Sequence, residues 1–189
     1  METKCYSFNS YNEQCSNGIY SALENLNSCG KKPILICIGS DLVLGDSLGP
    51  LVGTMLRQSN VSSFVYGTLN YPITAKEIEY AKEYLKSMHP NSVSIAIDAA
   101  VGNPEDIGLI KVVNTGLKPG LGVDKNLGQI GDISIVGVVA GRSKDNYNLF
   151  NLTRLNLIYK MANCITEGLK KYIAGFYSCN QDNSSIVGA

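Results

Sequence analysis

The sequence predicts an α/β fold with three layers, α/β/α, built around a mainly parallel sheet. Short apolar runs that suit buried strands alternate with segments whose apolar residues recur at helical spacing. This alternation is typical of a sheet covered by helices on both faces. The length of 189 residues fits a single α/β domain, with a core at about 33–173 and flexible ends at 1–14 and 174–189.

The first half of the chain shows the alternation clearly. Pro50 falls in the first turn of an apolar helical pattern, and Gly30 ends an earlier one. The run PILICIG is apolar almost throughout, as in a strand buried on both faces. The predicted elements are an irregular extension (1–14), a helix (14–28), a strand (33–39), a helix (47–58) and a strand (62–67).

The second half continues the pattern around one long connection. Residues 114–131 contain too much glycine for regular structure, and loops of that length inside a compact domain are usually functional. The strand SVSIAID is expected to end at Asp98. The predicted elements are a helix (74–87), strands (92–98, 108–113 and 132–139) and a long helix (147–173) before a polar tail.

The charge balance excludes several classes of partner. Lysine plus arginine and aspartate plus glutamate both total 16, which gives no electrostatic basis for binding nucleic acid or an anionic membrane. No apolar run approaches the ~20 residues that span a bilayer, and the N-terminus does not resemble a secretory signal. The six cysteines form no C-x-x-C pair, so we expect free structural thiols. The prediction is a cytoplasmic protein.

Two aspartates form the candidate catalytic pair. Asp46 follows the strand 33–39 across a turn that contains Gly45, and Asp98 is placed at the carboxyl end of another strand. Ligands of open α/β sheets collect at that edge, where two close carboxyls can share a proton and activate water. Asp41 is a candidate third acid. The alternatives are structural, since Asp46 can cap a helix, and Asp98 and Asp41 can stabilise turns.

Other residues give weaker signals. The segment GSDLVLGDSLG lacks the spacing and the lysine of a phosphate-binding loop. The single histidine, His89, precedes Pro90 at a helix end, where an interaction with the helix C-terminus is the simpler interpretation. Lys118 and Lys125 lie in the glycine-rich loop, where they can neutralise an acidic site or remain solvated.

Four motifs follow one another along the chain: CIGSDLVLGDSLGPLVG, YGTLNYPITAKEI, SIAIDAAVG and GLKPGLGVDKNLGQIGDISIVGVV. Together they resemble the YyaC family of sporulation proteins from endospore-forming bacteria, over about residues 33–173. That family is similar to the spore germination protease and, more distantly, to the hydrogenase maturation endopeptidases. The resemblance implies a phosphorylase/hydrolase-like (HybD-like) fold and a location in the cytoplasm of the mother cell or forespore.

The resemblance also implies roles for particular residues. The catalytic aspartates of the germination protease correspond to Asp46, in GDSLGP, and Asp98, in AIDA. Its glycine-rich loop resembles PGLGVDK, residues 119–125. The residues predicted to bind substrate are Asp41, Gly45, Gly120, Gly122 and Lys125.

The chain departs from the endopeptidase pattern at one point. YGTLNYPITAK contains no histidine, and Ile73 and Thr74 stand where a third metal ligand would be expected. We therefore predict no cofactor, and a divalent cation between Asp46 and Asp98 as the alternative. The predicted function is a sporulation-associated, peptidase-like aspartate hydrolase acting on a protein or peptide. The alternative is a catalytically silent protein that binds a peptide, partner or cation in the same cleft, and a homodimer through the last helix is compatible with both.

Overall fold

A computed structural model provides the structure of the protein. It describes residues 2–28, 30–119, 128–142 and 153–184. The strands are β1 (Cys5–Asn9), β2 (Pro33–Cys37), β3 (Phe64–Tyr66), β4 (Val93–Gly102), β5 (Leu109–Val113) and β6 (Ile133–Gly141). The α-helices are α1 (Cys15–Leu26), α2 (Leu48–Gln58), α3 (Ile78–Met88) and α4 (Leu155–Ser184), and two short 3-10 helices span Leu44–Ser47 and Pro104–Asp106.

The six strands form one mixed sheet in the order β1-β5-β6-β4-β2-β3. β3, β2, β4 and β6 pair in parallel, whereas β5 runs antiparallel to both β6 and β1. The predicted α/β class and mainly parallel sheet are confirmed. The sheet also confirms that β2 and β4 are direct neighbours. Asp46 follows β2 in the chain, and Asp98 lies within β4.

Alternation along the strands divides the core between two faces of the sheet. We call the side packed against α1, α2 and α4 the large face, and the side packed against α3 the small face. Leu35 and Ile97 point to the large face, where they join the larger apolar cluster. Ile36 and Ala96 point to the small face and join a smaller cluster with α3. The layers are therefore helices, sheet and helix, in agreement with the α/β/α prediction.

The N-terminal segment differs from the irregular extension that the sequence predicts. β1 pairs antiparallel with β5, from Cys5↔Val113 to Asn9↔Leu109. Along β1 the residues alternate between exposed and partly buried, and the partly buried Tyr6 and Phe8 pack against the large-face cluster. This period of two is the pattern of a half-buried edge strand.

Two helices also differ from their predicted bounds. α3 begins at Ile78 rather than residue 74, because Thr74 and Glu77 form a hydrogen-bonded turn before it. α4 continues to Ser184, past the predicted end at Ile173, and the predicted start of this helix at 147–152 lies outside the described residues. None of the helices in the described ranges combines the length and apolar content needed to cross a membrane.

Candidate active site

The carboxyl end of β2 is where the two predicted catalytic aspartates approach one another. β2 pairs with β4 in a parallel register that ends at Cys37↔Ile97. β4 then continues to Gly102, so the predicted strand end at Asp98 is wrong. The additional length of β4 still pairs with β6, as in Asp98↔Val136. Asp98 is therefore level with the end of β2 on one side, and the chain leaving β2 turns beside it.

A tight turn after β2 positions Asp46. Gly39 has a φ of +135°, and its N–H donates to the carbonyl of Ile73 at 2.9 Å. The next N–H, of Ser40, donates to the carbonyl of Asp46 at 3.1 Å, which closes the turn. A Cβ at Gly39 would lie 2.0 Å from that carbonyl oxygen, so only glycine fits here. The 3-10 helix that carries Asp46 packs against β4.

Asp98 is held by the ladder geometry of β4. The N–H of Ile38 donates to the carbonyl of Ile97 at 2.8 Å, which shows that Ile97 directs its peptide groups toward β2. Alternate residues share that direction, so Ala99 faces the place where β2 has already ended. The N–H of Ala99 donates instead to Oδ1 of Asp98 at 2.8 Å. Asp98 thus satisfies one backbone donor with one oxygen.

The two carboxyls interact electrostatically and have different proton affinities. Burial raises the pKa of Asp46 from its ordinary 3.8 to about 6, against the opposing effect of the Ser40 N–H. Burial also raises the pKa of Asp98 well above its usual range, and the charge of Asp46 raises it further. Because the charge of Asp46 raises the pKa of Asp98, Asp46 loses its proton first, and the pair passes through a state with an ionised Asp46 and a protonated Asp98. A base and an acid side by side are the combination that activates water and protonates a carbonyl oxygen.

The structural alternatives for these aspartates can now be compared with the geometry. Neither the 3-10 helix Leu44–Ser47 nor α2 has a side-chain hydrogen bond at its N-cap, so Asp46 does not serve as a helix cap. Asp98 does not stabilise a loop directly after it, because four further strand residues follow. Its bond to Ala99 is the structural role that remains.

The other predicted site residues fall in different places. Gly45 is buried beside Asp46, whereas Asp41 is exposed in the turn. The predicted substrate-binding residues Gly120, Gly122 and Lys125 lie outside the described residues. No group of three or more histidine, cysteine, aspartate or glutamate side chains suited to a metal ion occurs in the described ranges.

His89 has the predicted place at the end of α3, where its backbone N–H donates to the carbonyl of Leu85 at 2.9 Å. Its ring belongs to an aromatic group, with Nε2 2.6 Å from the hydroxyl of Tyr66 and the ring 4.7 Å from that of Phe64. Since β3 is at the edge of the sheet beyond β2, this histidine is part of a surface away from the carboxyl pair.

Two exposed apolar residues near the pair were not singled out from the sequence. Leu42 is 88% exposed in the turn before Asp46, and Tyr71 is 77% exposed in the loop after β3. The bridge Ile38↔Ile73 brings these two loops side by side at the carboxyl edge. An apolar residue flanked by turn residues, as in Asp41-Leu42 or Tyr71-Pro72, is the signal that could have identified them.

Comparisons with known proteins agree with the resemblance to the YyaC family. A family model described as "Protein of unknown function (DUF1256)" matches residues 6–168. The chain is 41% identical over 143 residues to "Uncharacterized protein YyaC" of Bacillus subtilis (strain 168), an alignment that covers 75% of this chain and 70% of that protein. The matched range includes both aspartates of the candidate site.

Proposed function

The chain belongs to the DUF1256 family, and on that premise we propose that it is a sporulation-associated, peptidase-like hydrolase in which Asp46 and Asp98 activate water. The role in sporulation and the kinship with peptidases follow from the motif resemblance. The hydrolytic chemistry follows from the site itself, and it can be tested without reference to the family.

One observation carries the proposal: two carboxyls at the carboxyl edge of a parallel sheet have pKa values that differ. Burial raises the pKa of Asp46 to about 6, and burial together with the Asp46 charge raises that of Asp98 well above its usual range. Structural aspartates on a protein surface gain nothing from such an environment, which destabilises their charged form. Strongly perturbed pairs in a cleft are more often functional.

The two groups would divide the reaction between them. Ionised Asp46 accepts a proton from water as the water oxygen attacks the carbonyl carbon of a peptide bond. Protonated Asp98 transfers its proton to the carbonyl oxygen as negative charge develops there. Collapse of the tetrahedral species returns that proton to Asp98 and breaks the C–N bond, and the proton held by Asp46 passes to the leaving amine. The products are a carboxylic acid and an amine.

The surroundings favour a peptide or protein as the substrate. Leu42 and Tyr71 expose large apolar side chains on the two loops that meet at this edge. A small polar ligand makes no favourable apolar contact with these side chains, whereas the side chains that flank a scissile peptide bond would contact them. We assign these two residues to substrate binding.

Peptide cleavage by matched variants tests this proposal. The purified protein is incubated with a mixture of peptides, and new termini are identified by mass spectrometry. Asp46→Asn and Asp98→Asn should each lower the cleavage rate by about 10²–10⁴-fold. Glu105→Gln is the control, because Glu105 is an exposed acid shortly after β4. It should cleave at the wild-type rate.

Circular dichroism must show that the asparagine variants keep the fold, so that loss of rate reports on chemistry. Full cleavage by either asparagine variant would contradict the dyad. Absence of cleavage by the wild type across peptides of varied sequence would contradict hydrolase activity itself.

A second candidate function is cation-dependent binding without catalysis, and the donor set favours it. The carboxyls of Asp46 and Asp98 offer oxygen atoms alone, which hard cations such as Ca²⁺ and Mg²⁺ prefer. Calorimetric titration with CaCl₂ or MgCl₂ distinguishes the two functions. Stoichiometric binding that Asp46→Asn abolishes, in a protein that cleaves no peptide, would support this candidate over the first.

A further inference from the structure

A cavity of about 360 Å³ opens on the small face of the sheet, away from the two aspartates. It lies between α3, the first residues of β2 and β4, and the segment that leads into β6. Its volume falls in the range of small-molecule sites. Nothing in the proposed hydrolysis uses it.

The cavity lies beside the first half of β4, and Asp98 follows in the middle of the same strand. Ser94 lines the cavity and Asp98 belongs to the carboxyl pair, and both point to the small face of β4. Four residues along a strand span about 13 Å at ~3.3 Å per residue. The lining also includes Ile36, which is level with Ala96, so the cavity extends along β4 toward the aspartate pair but includes neither aspartate.

Three lysines, Lys31, Lys82 and Lys86, contribute to the lining of this cavity. Within the described ranges, neither Lys31 nor Lys86 has a carboxylate at salt-bridge distance, the ion pairs there being Lys111–Asp106 and Lys170–Glu167. Two ammonium groups that pair with no carboxylate of the described residues attract an anion.

Among the described residues, the one acid that lines the cavity is already engaged. Oδ2 of Asp132 accepts from the N–H of Ser94 at 2.8 Å and from its hydroxyl at 2.7 Å. The Ser94 hydroxyl in turn accepts from the N–H of Asp132 at 3.1 Å. This reciprocal unit joins β4 to the start of β6 and fixes the cavity wall. Among the described residues, the lining still includes more lysines than acids.

The floor of the cavity is apolar. Ile34 and Ile36 of β2, Leu85 of α3 and Ile130 form it, and all four belong to the small-face cluster. These side chains are only 2–5% exposed, so the floor offers a small apolar surface, which a ligand with an apolar body can contact and a fully hydrated inorganic ion cannot use.

From the cationic wall and the apolar floor, we propose that the cavity binds a small organic anion, with a carboxylate or phosphate head near Lys31 and Lys86 and an apolar body over the isoleucines. This site goes beyond the proposed hydrolase function. It holds whether or not Asp46 and Asp98 cleave peptides.

Titration with simple probes tests the site. Phenyl phosphate and benzoate share an apolar ring and differ in the head group, so the tighter ligand identifies the preferred anion. The double variant Lys31→Gln/Lys86→Gln should weaken binding about tenfold or more, since hydrogen bonds to charged groups are among the stronger ones. Lys4→Gln/Lys76→Gln is the control, because it removes the same charge from exposed lysines outside the cavity. It should bind as the wild type does.

Two further measurements complete the experiment. Inorganic phosphate should bind more weakly than phenyl phosphate, and added NaCl should weaken binding of both organic probes. The proposal is overturned if neither organic probe binds saturably below ~10 mM. It is equally overturned if both double variants lose the same affinity, or if inorganic phosphate binds as tightly as phenyl phosphate.

Discussion

The two faces of the sheet differ in how completely they are covered. In the described residues, the large face packs against α1, α2 and α4, and its cluster contains 28 buried residues. The small face packs against α3 and a bridge between Leu117 and Ile130, with 9 buried residues. The same strands thus supply a thick core on one side and a thin one on the other.

The difference in coverage gives the two faces different roles, because the large face contains most of the stabilising core and the small face carries polar groups. Ile97 and Ala99 point to the large face and are buried in its core, whereas Asp98 between them points to the small face. The cationic cavity also opens on the small face. A polar group is costly inside a thick apolar core but tolerable beside a thin one, where water and ligands have access. The predictions below test this division.

The largest effect is expected from removing apolar volume on the large face. Leu169→Ala should destabilise the protein by about 2–5 kcal/mol, since Leu169 is fully buried in that cluster. Leu85→Ala, on the small face, should fall at or below the lower end of this range because Leu85 borders an open cavity. Urea denaturation measures both. Equal losses would show that the two faces contribute alike.

A second substitution tests whether the site depends on a tight backbone turn. Gly39→Ala forces a Cβ to within 2.0 Å of the Asp46 carbonyl and keeps an unfavourable φ, so the turn must move. We expect a loss of at least 1–3 kcal/mol together with loss of the site's function. Gly30→Ala is the matched control, since Gly30 has φ +58° with no atom within 4 Å of its Cβ position. It should cost about 1 kcal/mol and leave the site unchanged.

The sequence predicts the parallel centre of this fold better than its margins. PILICIG and SVSIAID are continuous apolar runs, and such runs identify strands that are buried on both faces. β1 was missed because its signal is a short alternation, Tyr6 and Phe8 between polar residues, which resembles an irregular polar segment. Its pairing with β5 depends on contacts more than 100 residues apart, which local patterns do not contain.

The sequence predicts which residues form the candidate site, and that assignment stays a prediction, but the sequence does not predict all of their geometry. The edge-of-sheet rule identified Asp46 and Asp98, and the pairing of β2 with β4 supports that reasoning. The continuation of β4 past Asp98 could not be predicted, because an aspartate followed by small residues resembles a strand end. The cationic cavity also could not be foreseen, since Lys31, Lys86 and Asp132 are distant in sequence.

The pH dependence of stability gives a smaller effect with a definite sign. The pKa of Asp46 is 3.8 ordinarily and about 6 in the folded protein, so the folded state binds more protons between these values. The stability that Asp46 contributes is fully present below pH 3.8 and is lost as the pH rises through about 6. Asp98, whose pKa is also raised by burial and by the Asp46 charge, acts in the same direction.

Asp46→Asn should therefore raise the melting temperature at pH 8 and change it much less at pH 3.5, where the carboxyl is neutral in the folded protein and mostly neutral in the unfolded chain. A stabilising substitution that abolishes catalysis is the signature of a functional group held at a cost to stability. Thermal melts at the two pH values measure it. A lower melting temperature at pH 8 would indicate instead that Asp46 stabilises the fold.

The smallest effect separates the two roles of Asp98. Its Oδ1 accepts a hydrogen bond from the N–H of Ala99. That N–H has no partner in β2, because the pairing of β2 with β4 ends at Cys37↔Ile97. Asp98→Asn keeps an acceptor oxygen for that bond, whereas Asp98→Ala removes it and should be less stable than the asparagine variant by about 1 kcal/mol. Both should be inactive, because neither can donate the carboxyl proton. If the alanine variant retained activity while losing stability, Asp98 would be a structural acceptor only, and the small face would lose its catalytic acid.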